Sequence, residues 1–317
     1  MEIIRGSTNL KPAHHGCVAT LGNFDGVHLG HQQLLKQLVE SADRLQLPSL
    51  VITTEPLPRE FFAPDTAPPR LTRFREKVEV FTAFGVDRVL CLRFCKTLAG
   101  IPARQFIEEL LLDRLGVKHL IIGDDTRFGH QRRGDFQLLQ DYARKYDFKV
   151  TATETFEIDG KRVSSSSIRS ALAAGDMEHA RLLLDRPYHM SGRVAHGEKR
   201  GRNLGYPTAN IYLNRRQTPL MGIFAVTVDG LDEQSLPGVA SIGVRPTFGG
   251  GDCLLEVHIF NFDRDIYGRH VKVYFHHKLR EELKFDSARA LIQQMRLDAD
   301  HARRYFAGNF ARGQTNV

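Results

Sequence analysis

The feature that most constrains the fold is an alternation of short apolar runs with longer amphipathic stretches across the first half of the chain. Strand-like runs separated by helical patterns of about 10–15 residues are typical of βαβ units, which build a parallel sheet. Ligands on such sheets lie at the carboxyl ends of the strands. The sequence therefore predicts an α/β domain. Its predicted strands are 17–24, 47–53, 86–94, 117–123 and 148–156, and its predicted helices are 28–46, 73–85, 103–116 and 135–147.

A different pattern begins after Pro187, where strand-like runs follow one another at close spacing with Gly, Pro and Asp between them. Such spacing is typical of a β-sandwich or β-barrel. A final amphipathic stretch, 287–308, predicts a closing helix. We therefore expect two domains, 1–186 and 187–317. The predicted strands of the second are 189–197, 222–230, 236–244, 253–262 and 270–279.

Composition agrees with two globular domains in a chain of 317 residues. Apolar residues make up 42% and charged residues 26%, which excludes disordered and fibrous classes. No apolar run approaches the roughly 18 residues of a membrane-spanning helix. The four cysteines are scattered, so no disulfide or zinc framework is indicated, and we expect a cytoplasmic protein. The net charge of +7 suits an anionic small substrate as well as nucleic acid.

The first candidate site follows the first predicted strand, in the segment TLGNFDGVHLGHQQLL. His28 and His31 stand at the predicted start of a helix, where unpaired N–H groups attract phosphate. Gly22 and Gly26 allow the backbone to approach a ligand closely. Imidazoles in such a place can donate hydrogen bonds to charge that develops on phosphorus. Alternatively, the two histidines are a surface pair or metal ligands, although a metal would require a third protein ligand.

The second candidate site is the segment VSSSSIRSALAAG, in which serines precede a predicted helix at 168–174. Serine hydroxyls and free helical N–H groups can hold phosphate. Arg169 adds a planar fork of donors that suits phosphate. A plain capped helix is the alternative for this segment alone.

The third candidate site is the segment SGRVAHGEKRGRNLGYPTANI. Its glycines and cations, among them Gly197, Lys199 and Arg202, suit a phosphate-binding loop. Thr208 and Asn210 are two residues apart on a strand and therefore lie on one face. Hydroxyl and amide oxygens are hard donors that suit Mg²⁺ carrying nucleotide phosphates. An ordinary turn and strand start would look similar.

The fourth candidate site lies in the strand-like run CLLEVHIF, where Glu256 is the lone carboxylate. We expect it to face the interior of a barrel, where a carboxylate is costly without a partner or a task. The task that suits it is to accept the proton of an attacking hydroxyl. An edge-strand glutamate facing water is the alternative.

Together these motifs resemble those of the bacterial bifunctional riboflavin kinase/FMN adenylyltransferase family, in the family's domain order from about residue 15 to 307. His28-Leu29-Gly30-His31 resembles the HxGH signature of nucleotidyltransferases, and the serines with Arg169 resemble a second triphosphate motif. The run from Gly197 through Pro207 to Asn210 resembles the entry signature of riboflavin kinases. The resemblance implies a Rossmann-like nucleotidyltransferase domain, then a riboflavin kinase-like antiparallel barrel.

The resemblance also implies two reactions, phosphorylation of riboflavin to FMN by ATP and transfer of AMP from a second ATP to FMN, giving FAD and pyrophosphate. Both would use Mg²⁺, and the partners would be riboflavin, FMN, FAD and ATP, without nucleic acid or membrane, in a monomer or weak homo-oligomer. Catalysis would involve Glu256, His28 and His31, and the metal would bind Thr208 and Asn210. ATP or phosphate would contact Gly22, Asn23, Asp25, Gly26, Gly30, Ser164, Ser165, Ser166, Arg169, Gly197, Lys199 and Arg202, and the flavin would contact Phe62, Asp125, Phe128, Arg245 and Thr247.

The sequence departs from the family pattern at Thr54, Leu57 and Thr126. The family reads F-[DE]-P-[HQ]-P where this chain has Thr54-Glu55-Pro56-Leu57-Pro58, and an aromatic residue where it has Thr126. The loss of one or two apolar contacts in a core costs roughly 2–4 kcal/mol, so the adenylyltransferase could be slow or its pocket repacked. Two alternatives therefore stay open, a riboflavin kinase with a degenerate N-terminal domain and a non-catalytic flavin- or nucleic-acid-binding regulator.

Overall fold

The chain divides into two compact units in this computed structural model, and each is described by itself. The first comprises Met1–Pro68 and Thr72–Ser164, and the second comprises Pro69–Leu71 and Ser165–Val317. The structure describes residues 1–196, 205–213, 215, 217–245 and 252–313. Within these ranges no helix combines the length and apolar character that crossing a membrane requires.

The first unit is built on a six-stranded, wholly parallel sheet. Its order is β1-β4-β3-β2-β5-β6, so β2 lies between β3, the next strand in sequence, and β5. Ligands of open α/β sheets bind at the carboxyl edge where the strand order reverses in this way. The strands are β1 Glu2–Arg5, β2 Cys17–Leu21, β3 Ser49–Glu55, β4 Arg88–Arg93, β5 Val117–Gly123 and β6 Lys149–Thr153, and a small hairpin follows, β7 Glu157–Ile158 with β8 Lys161–Arg162.

Helices cover both faces of this sheet because alternate strand residues are buried on opposite sides. Leu35 and Phe81 pack against one face, and Phe106 and Leu139 pack against the other. The helices are α1 Leu29–Leu45, α2 Pro58–Phe62, α3 Phe74–Ala83, α4 Lys96–Gly100, α5 Ala103–Gln105 and α6 Phe136–Lys145. Short 3₁₀ turns occur at Ser7–Asn9, Pro12–His14 and His130–Arg132.

Polar contacts in the C-terminal half of α1 also hold this helix against the sheet. Buried His119 contacts the Ser41 hydroxyl through Nδ1 at 2.7 Å and the Thr151 hydroxyl through Nε2 at 2.8 Å. Burial, with the nearby Lys149 and Arg44 charges, lowers the pKa of His119 to about 4, so the ring is neutral near pH 7. The ring therefore links α1 to two strands, β5 and β6.

The first unit differs from the sequence prediction in several places. The helices α2 and α4 and the hairpin of β7 and β8 were not predicted, and β2 ends at Leu21, before the predicted end at 24. β1 was not predicted, because only one of its four residues is buried and it pairs at the sheet edge with β4. The predicted helix 103–116 continues beyond α5 as a π-helix over Phe106–Arg114. The predicted strand 148–156 is shorter, because β6 ends at Thr153.

The second unit contains a closed six-stranded barrel with antiparallel neighbours. Its interior is apolar, and Phe224, Phe275, Ile242 and Leu255 are almost fully buried there. The barrel order is β10-β13-β12-β11-β14-β9. The strands are β9 Tyr188–Ala195, β10 Ala209–Tyr212, β11 Gly222–Asp229, β12 Leu236–Arg245, β13 Asp252–Ile259 and β14 His270–Arg280.

The closing helix, α9 (Ala288–Gly313), covers part of the outer face of the barrel and runs beyond the predicted end at 308. Its Ala299, Ala302 and Phe306 form a buried cluster with Ala225 and Phe260 of the barrel. Two further helices precede the barrel, α7 Ser165–Ala174 and α8 Met177–Leu184.

The compact units do not divide where the functional domains were predicted to divide. Residues from Ser165 onward belong to the second unit, whereas the predicted boundary lies between 186 and 187. The segment Pro69–Leu71 also belongs to the second unit, because its carbonyl groups accept hydrogen bonds from Arg169, Tyr188 and Arg215. The division at 186 remains a prediction about function.

We expect Phe224→Ala to destabilise the barrel by about 3–5 kcal/mol, because it empties a fully buried site whose ring packs edge-on against Phe275 at 5.4 Å. Urea denaturation followed by circular dichroism would measure the change. The matched control is Met221→Ala, a residue 43% exposed that should change stability by less than about 0.5 kcal/mol. A loss below about 1 kcal/mol for Phe224→Ala would contradict the packing argument.

Candidate functional site

The first candidate site is a tight turn that leads from β2 into α1 at the carboxyl edge of the sheet. Three residues of this turn are left-handed, Phe24 at φ 50°, Gly26 at φ 90° and Val27 at φ 43°. Left-handed non-glycine residues persist only where their surroundings hold them, and they cluster at functional loops. Phe24 is fully buried, which holds the turn in place. At Gly22 a Cβ atom would approach the Phe24 ring to 3.0 Å, so a larger residue there would have to displace the buried ring.

Asp25 anchors this turn to a second part of the chain. Its buried carboxylate accepts hydrogen bonds from the backbone N–H of Thr72 at 3.0 Å and from the Thr72 hydroxyl at 3.4 Å. The same hydroxyl accepts a hydrogen bond of 2.8 Å from the Gly26 N–H. Asp25 therefore has an architectural task, and its contact with ATP remains a prediction. Sequence reasoning missed Thr72, because no motif marks a partner 47 residues away.

The two histidines of the HxGH motif form a stacked pair at the N-terminus of α1. Their ring centroids are 3.7 Å apart with an interplanar angle of 21°. His28 is the N-cap of the helix, and its Nδ1 accepts a hydrogen bond of 3.4 Å from the His31 N–H. An imidazole that accepts through Nδ1 carries its proton on Nε2, which is then a donor for a phosphate oxygen. A Cβ atom at Gly30 would lie in van der Waals contact with the His28 ring, at 3.4 Å.

The other predicted residues of this unit differ in exposure. Asn23 is exposed, and Asp125 forms an ion pair with Arg162 on the surface. Phe62 is 67% exposed and joins Phe61 and Phe94 in a cluster whose ring centroids are 5.3–5.6 Å apart. Sequence reasoning missed Phe94.

Phe128 has a clear structural task. Its ring is buried against Phe106 at 5.6 Å, and its backbone pairs with Gly134. A Cβ atom on Gly134 would clash with the Phe128 ring at 2.6 Å. Its predicted contact with a flavin remains a prediction.

The departures from the family pattern lie at or just after the carboxyl ends of two strands, β3 and β5. Leu57 is buried, and the buried Thr54 hydroxyl has no hydrogen-bond partner among the described residues. Thr126 is half-buried, and its N–H donates to the Gly123 carbonyl. Thr54 thus places at this end of β3 a polar atom that the described residues do not satisfy.

The serine and arginine motif lies at the start of α7. Ser164 is the last residue of the first unit, and Ser165, Ser166 and Arg169 belong to the second. The helix begins at Ser165, so Ser165 and Ser166 lie in its first turn rather than before it as the sequence predicted. The Nε–H of Arg169 donates to the Pro69 carbonyl at 2.7 Å.

The second candidate site lies on the outer face of the barrel. Asn210 of β10 and Ser241 of β12 both stand directly opposite Glu256 of β13 in the strand register. Thr208 precedes β10, and the Nδ2–H of Asn210 donates a hydrogen bond of 3.4 Å to the Thr208 carbonyl. Residues directly opposite one another on antiparallel strands have Cβ atoms about 4.5–5.5 Å apart. The register therefore brings the predicted metal ligand and the predicted base side by side.

The expectation that Glu256 faces the barrel interior is wrong. Leu255 and Val257, its neighbours in sequence, are buried in the apolar interior, so strand alternation directs Glu256 outward. The side chain is half-buried, beside the face that α9 covers in part. An outward carboxylate avoids the cost of a charge in the core and can meet a substrate.

His258, two residues after Glu256 on the same face, positions the turn before Thr208. Its Nδ1 lies 2.9 Å from the Pro207 carbonyl, which can only accept, so the imidazole donates. Burial lowers the pKa of His258, and the nearby Arg303 lowers it further, although the hydrogen bond to Pro207 opposes this. The neutral ring thus holds the start of the Thr208–Asn210 segment. Sequence reasoning placed His258 on this face but gave it no role.

Several predicted residues cannot be placed. Gly197, Lys199, Arg202 and Thr247 lie outside the described residues. Arg245 is the last residue of β12, and only its backbone is described.

Comparison with known proteins identifies relatives of both halves. Residues 10–167 match the family model described as FAD synthetase, and residues 184–306 match the one described as Riboflavin kinase. A Pseudomonas fluorescens protein named Bifunctional riboflavin kinase/FMN adenylyltransferase is 51% identical to this chain over 304 residues. The matched region covers 96% of this chain and 97% of the Pseudomonas fluorescens protein. The protein of the same name from Escherichia coli strain K12 is 48% identical over 307 residues, 96% and 98% of the two chains.

A solved structure has a similar fold over nearly the whole chain. The crystal structure of a Streptococcus pneumoniae protein named Macrolide-efflux Protein matches with a TM-score of 0.81 and 31% sequence identity, over 96% of this chain and 99% of that one. Its fold therefore resembles that of both units.

We expect Thr72→Val to lower the free energy of unfolding by about 1–3 kcal/mol, because it leaves the Gly26 N–H without its acceptor and removes one donor from Asp25. Thr72→Ser keeps the hydroxyl and is the matched control, with a smaller loss. Denaturant titration of both variants would measure the difference. Equal stability of the valine and serine variants would show that the hydroxyl does not hold the turn.

Proposed function

The chain belongs to the bifunctional riboflavin kinase/FMN adenylyltransferase family, and we propose that it carries out both reactions through the residues described above. The kinase reaction transfers the γ-phosphoryl group of ATP to the 5′-hydroxyl of riboflavin and gives FMN and ADP. The adenylyltransferase reaction joins the FMN phosphate to the α-phosphorus of a second ATP, giving FAD and releasing pyrophosphate.

The observation that carries the kinase assignment is the register that sets Asn210 opposite Glu256 on the outer barrel face. We propose that Glu256 accepts the proton of the riboflavin 5′-hydroxyl while that oxygen attacks the γ-phosphorus. A base must lie within hydrogen-bond reach of the hydroxyl, and phosphoryl transfer otherwise requires positioning and charge neutralisation. The predicted loop residues Gly197, Lys199 and Arg202 would cover the ATP phosphates, and Arg245 with Thr247 would contact the flavin.

The donor set beside Glu256 fits Mg²⁺. Thr208 offers a hydroxyl oxygen, and Asn210 bonds through its amide nitrogen, so its oxygen is the atom that can ligate a cation. The described residues contain no group of three or more His, Cys, Asp or Glu side chains that could hold a metal alone. Mg²⁺ usually keeps several waters and binds through few protein oxygens together with substrate phosphates. When bound, the ion would neutralise charge on the phosphates.

The stacked histidines support the adenylyltransferase assignment. We propose that Nε2–H of His28 and the ring of His31 donate to the ATP phosphates at the N-terminus of α1. There the helix N–H groups and the backbone of Gly22, Asn23, Gly26 and Gly30 would also face the triphosphate. Ser164, Ser165, Ser166 and Arg169 would bind the leaving pyrophosphate. These donors stabilise charge that grows in the transition state, and no covalent nucleophile from the protein is needed.

We further propose that residues 1–186 form the adenylyltransferase and residues 187–317 the kinase, acting in the cytoplasm as a monomer or weak homo-oligomer without nucleic acid. The two family models support this division, because neither crosses the proposed boundary by more than a few residues. The net charge of +7 suits anionic nucleotide substrates, and the four cysteines form no disulfide among the described residues, as a reducing compartment favours. Phe62, Asp125 and Phe128 would lie near the flavin in the first site.

A time course with riboflavin, ATP and Mg²⁺, with the flavins separated by chromatography, tests the proposal. FMN followed by FAD supports both activities. FMN that accumulates without FAD supports a kinase with a degenerate N-terminal domain, and would be traced to the changes at Thr54, Leu57 and Thr126. Unchanged riboflavin would contradict the enzymatic proposal and favour a non-catalytic binder.

We expect Glu256→Gln to slow FMN formation about 100- to 10,000-fold, because the amide cannot accept the hydroxyl proton. FAD formation from added FMN should be unchanged and serves as the internal control for an intact chain. The two rates are measured separately from riboflavin and from FMN. Retention of more than a tenth of the kinase rate would exclude Glu256 as the base.

We expect the opposite pattern for His31→Ala, with FAD formation from FMN about 100-fold slower or worse and the kinase rate unchanged. The loss should fall mainly on kcat, because the donors act on charge that develops in the transition state. Pyrophosphate release measures this rate. A variant that loses only affinity for ATP would show that the ring binds the ground state and does not stabilise the transition state.

A further inference from the structure

The kinase site has a second carboxylate, Glu282, that none of the motifs marks. The Ser241 hydroxyl contacts its Oε1 at 3.4 Å, and Ser241 stands directly opposite Glu256 in the strand register. Glu282 follows the end of β14, where the chain passes the start of β11 and reaches β12. Two carboxylates thus flank one serine on the outer face of the barrel.

The backbone makes room for Glu282 at Gly243. A Cβ atom at that position would lie 2.4 Å from Oε1, 2.7 Å from Oε2 and 2.8 Å from Cδ of Glu282. Both carboxylate oxygens therefore rest on the surface of β12 in the space that the missing side chain leaves. We call this space at Gly243 the seat of Glu282. A glutamate that only increased solubility would not require it.

Among the described residues, the carboxylate of Glu282 uses little of its hydrogen-bonding capacity. An ionised carboxylate has about four acceptor positions. Among the described residues, the Ser241 hydroxyl is the hydrogen-bond partner of Glu282, and 3.4 Å is long for a bond between two oxygens. A substrate with neighbouring hydroxyl groups could therefore donate to Glu282 without displacing a strong partner.

The location of Glu282 relative to Glu256 indicates which hydroxyls these are. If Glu256 takes the proton of the 5′-hydroxyl, the polyol chain of riboflavin must start at Glu256 and continue over a neighbouring residue. Ser241 is such a neighbour, with its Cβ about 4.5–5.5 Å from that of Glu256, and Glu282 lies against it. The remaining hydroxyls of the chain sit on adjacent carbons, and they can reach both oxygens of one carboxylate.

We propose that Glu282 is a substrate-specificity residue that accepts hydrogen bonds from the hydroxyls of the riboflavin polyol chain, with Gly243 providing its seat. This inference rests on the proposed kinase function and assigns the sugar-alcohol part of its substrate. Because these bonds form in the bound substrate and persist during the transfer, they contribute to KM for riboflavin rather than to kcat.

The test compares Glu282→Gln with Glu281→Gln in the full chain. Glu281 is the adjacent glutamate, and its side chain is 73% exposed and forms an ion pair with Lys278. We expect Glu282→Gln to raise KM for riboflavin about 10-fold or more, with kcat and KM for ATP changed less than about 3-fold. Glu281→Gln should change no constant more than about 2-fold, and FAD formation from FMN should be the same in both.

A second variant tests the seat. Gly243→Ala should displace the flexible end of Glu282 rather than the backbone, and should raise KM for riboflavin to a similar extent. The double variant should be no worse than either single variant, since both remove the same interaction. Thermal denaturation checks that the barrel remains folded.

Other outcomes would overturn the inference. An unchanged KM for riboflavin in Glu282→Gln would show that the carboxylate does not bind the substrate. A fall in kcat alone would assign it to proton transfer, and a rise in KM for ATP or in the Mg²⁺ requirement would assign it to the metal. If the wild-type chain does not phosphorylate riboflavin, the proposed function fails, and fluorescence titration with riboflavin still decides whether binding depends on Glu282.

Discussion

The closed hydrogen bonding of the six-stranded barrel fixes which side chains stand together on its outer face. Each strand pairs with a neighbour on both sides. A register shift of one residue would therefore move the outward side chains of a strand into the interior and its interior side chains to the outer face. Closure therefore sets Asn210, Glu256 and Ser241 in one row across three strands. The apolar residues between them fill the interior, and the same alternation that builds the core directs these polar side chains outward.

In the first unit a different constraint brings the predicted site residues together. A parallel sheet brings the carboxyl ends of its strands to one edge, and the reversal of strand order at β2 opens that edge to a ligand. The left-handed turn after β2 then places the start of α1 at the carboxyl edge of the sheet. Buried Phe24 and the bonds between Asp25 and Thr72 hold that turn, so these contacts position the histidine pair.

Much of the fold and some of the site were predictable because they follow from local patterns. Helix and strand periodicity indicated most elements of both units, and glycines beside paired histidines indicated a phosphate site. The edge strand β1 was missed because its short, mostly exposed sequence carries no periodic signal. Thr72 and Glu282 were missed because their partners are distant in sequence and share no motif with them.

The sequence by itself determined most of the helices and strands, the two domain types and the chemical character of the motifs, because these depend on periodicity and residue type. Only the tertiary structure decided the outward direction of Glu256, which sequence reasoning had placed in the interior. Alternation along one strand shows which residues share a face, but not which face becomes the core. That choice depends on the partner strands and on α9, whose contacts are settled by the folded chain as a whole.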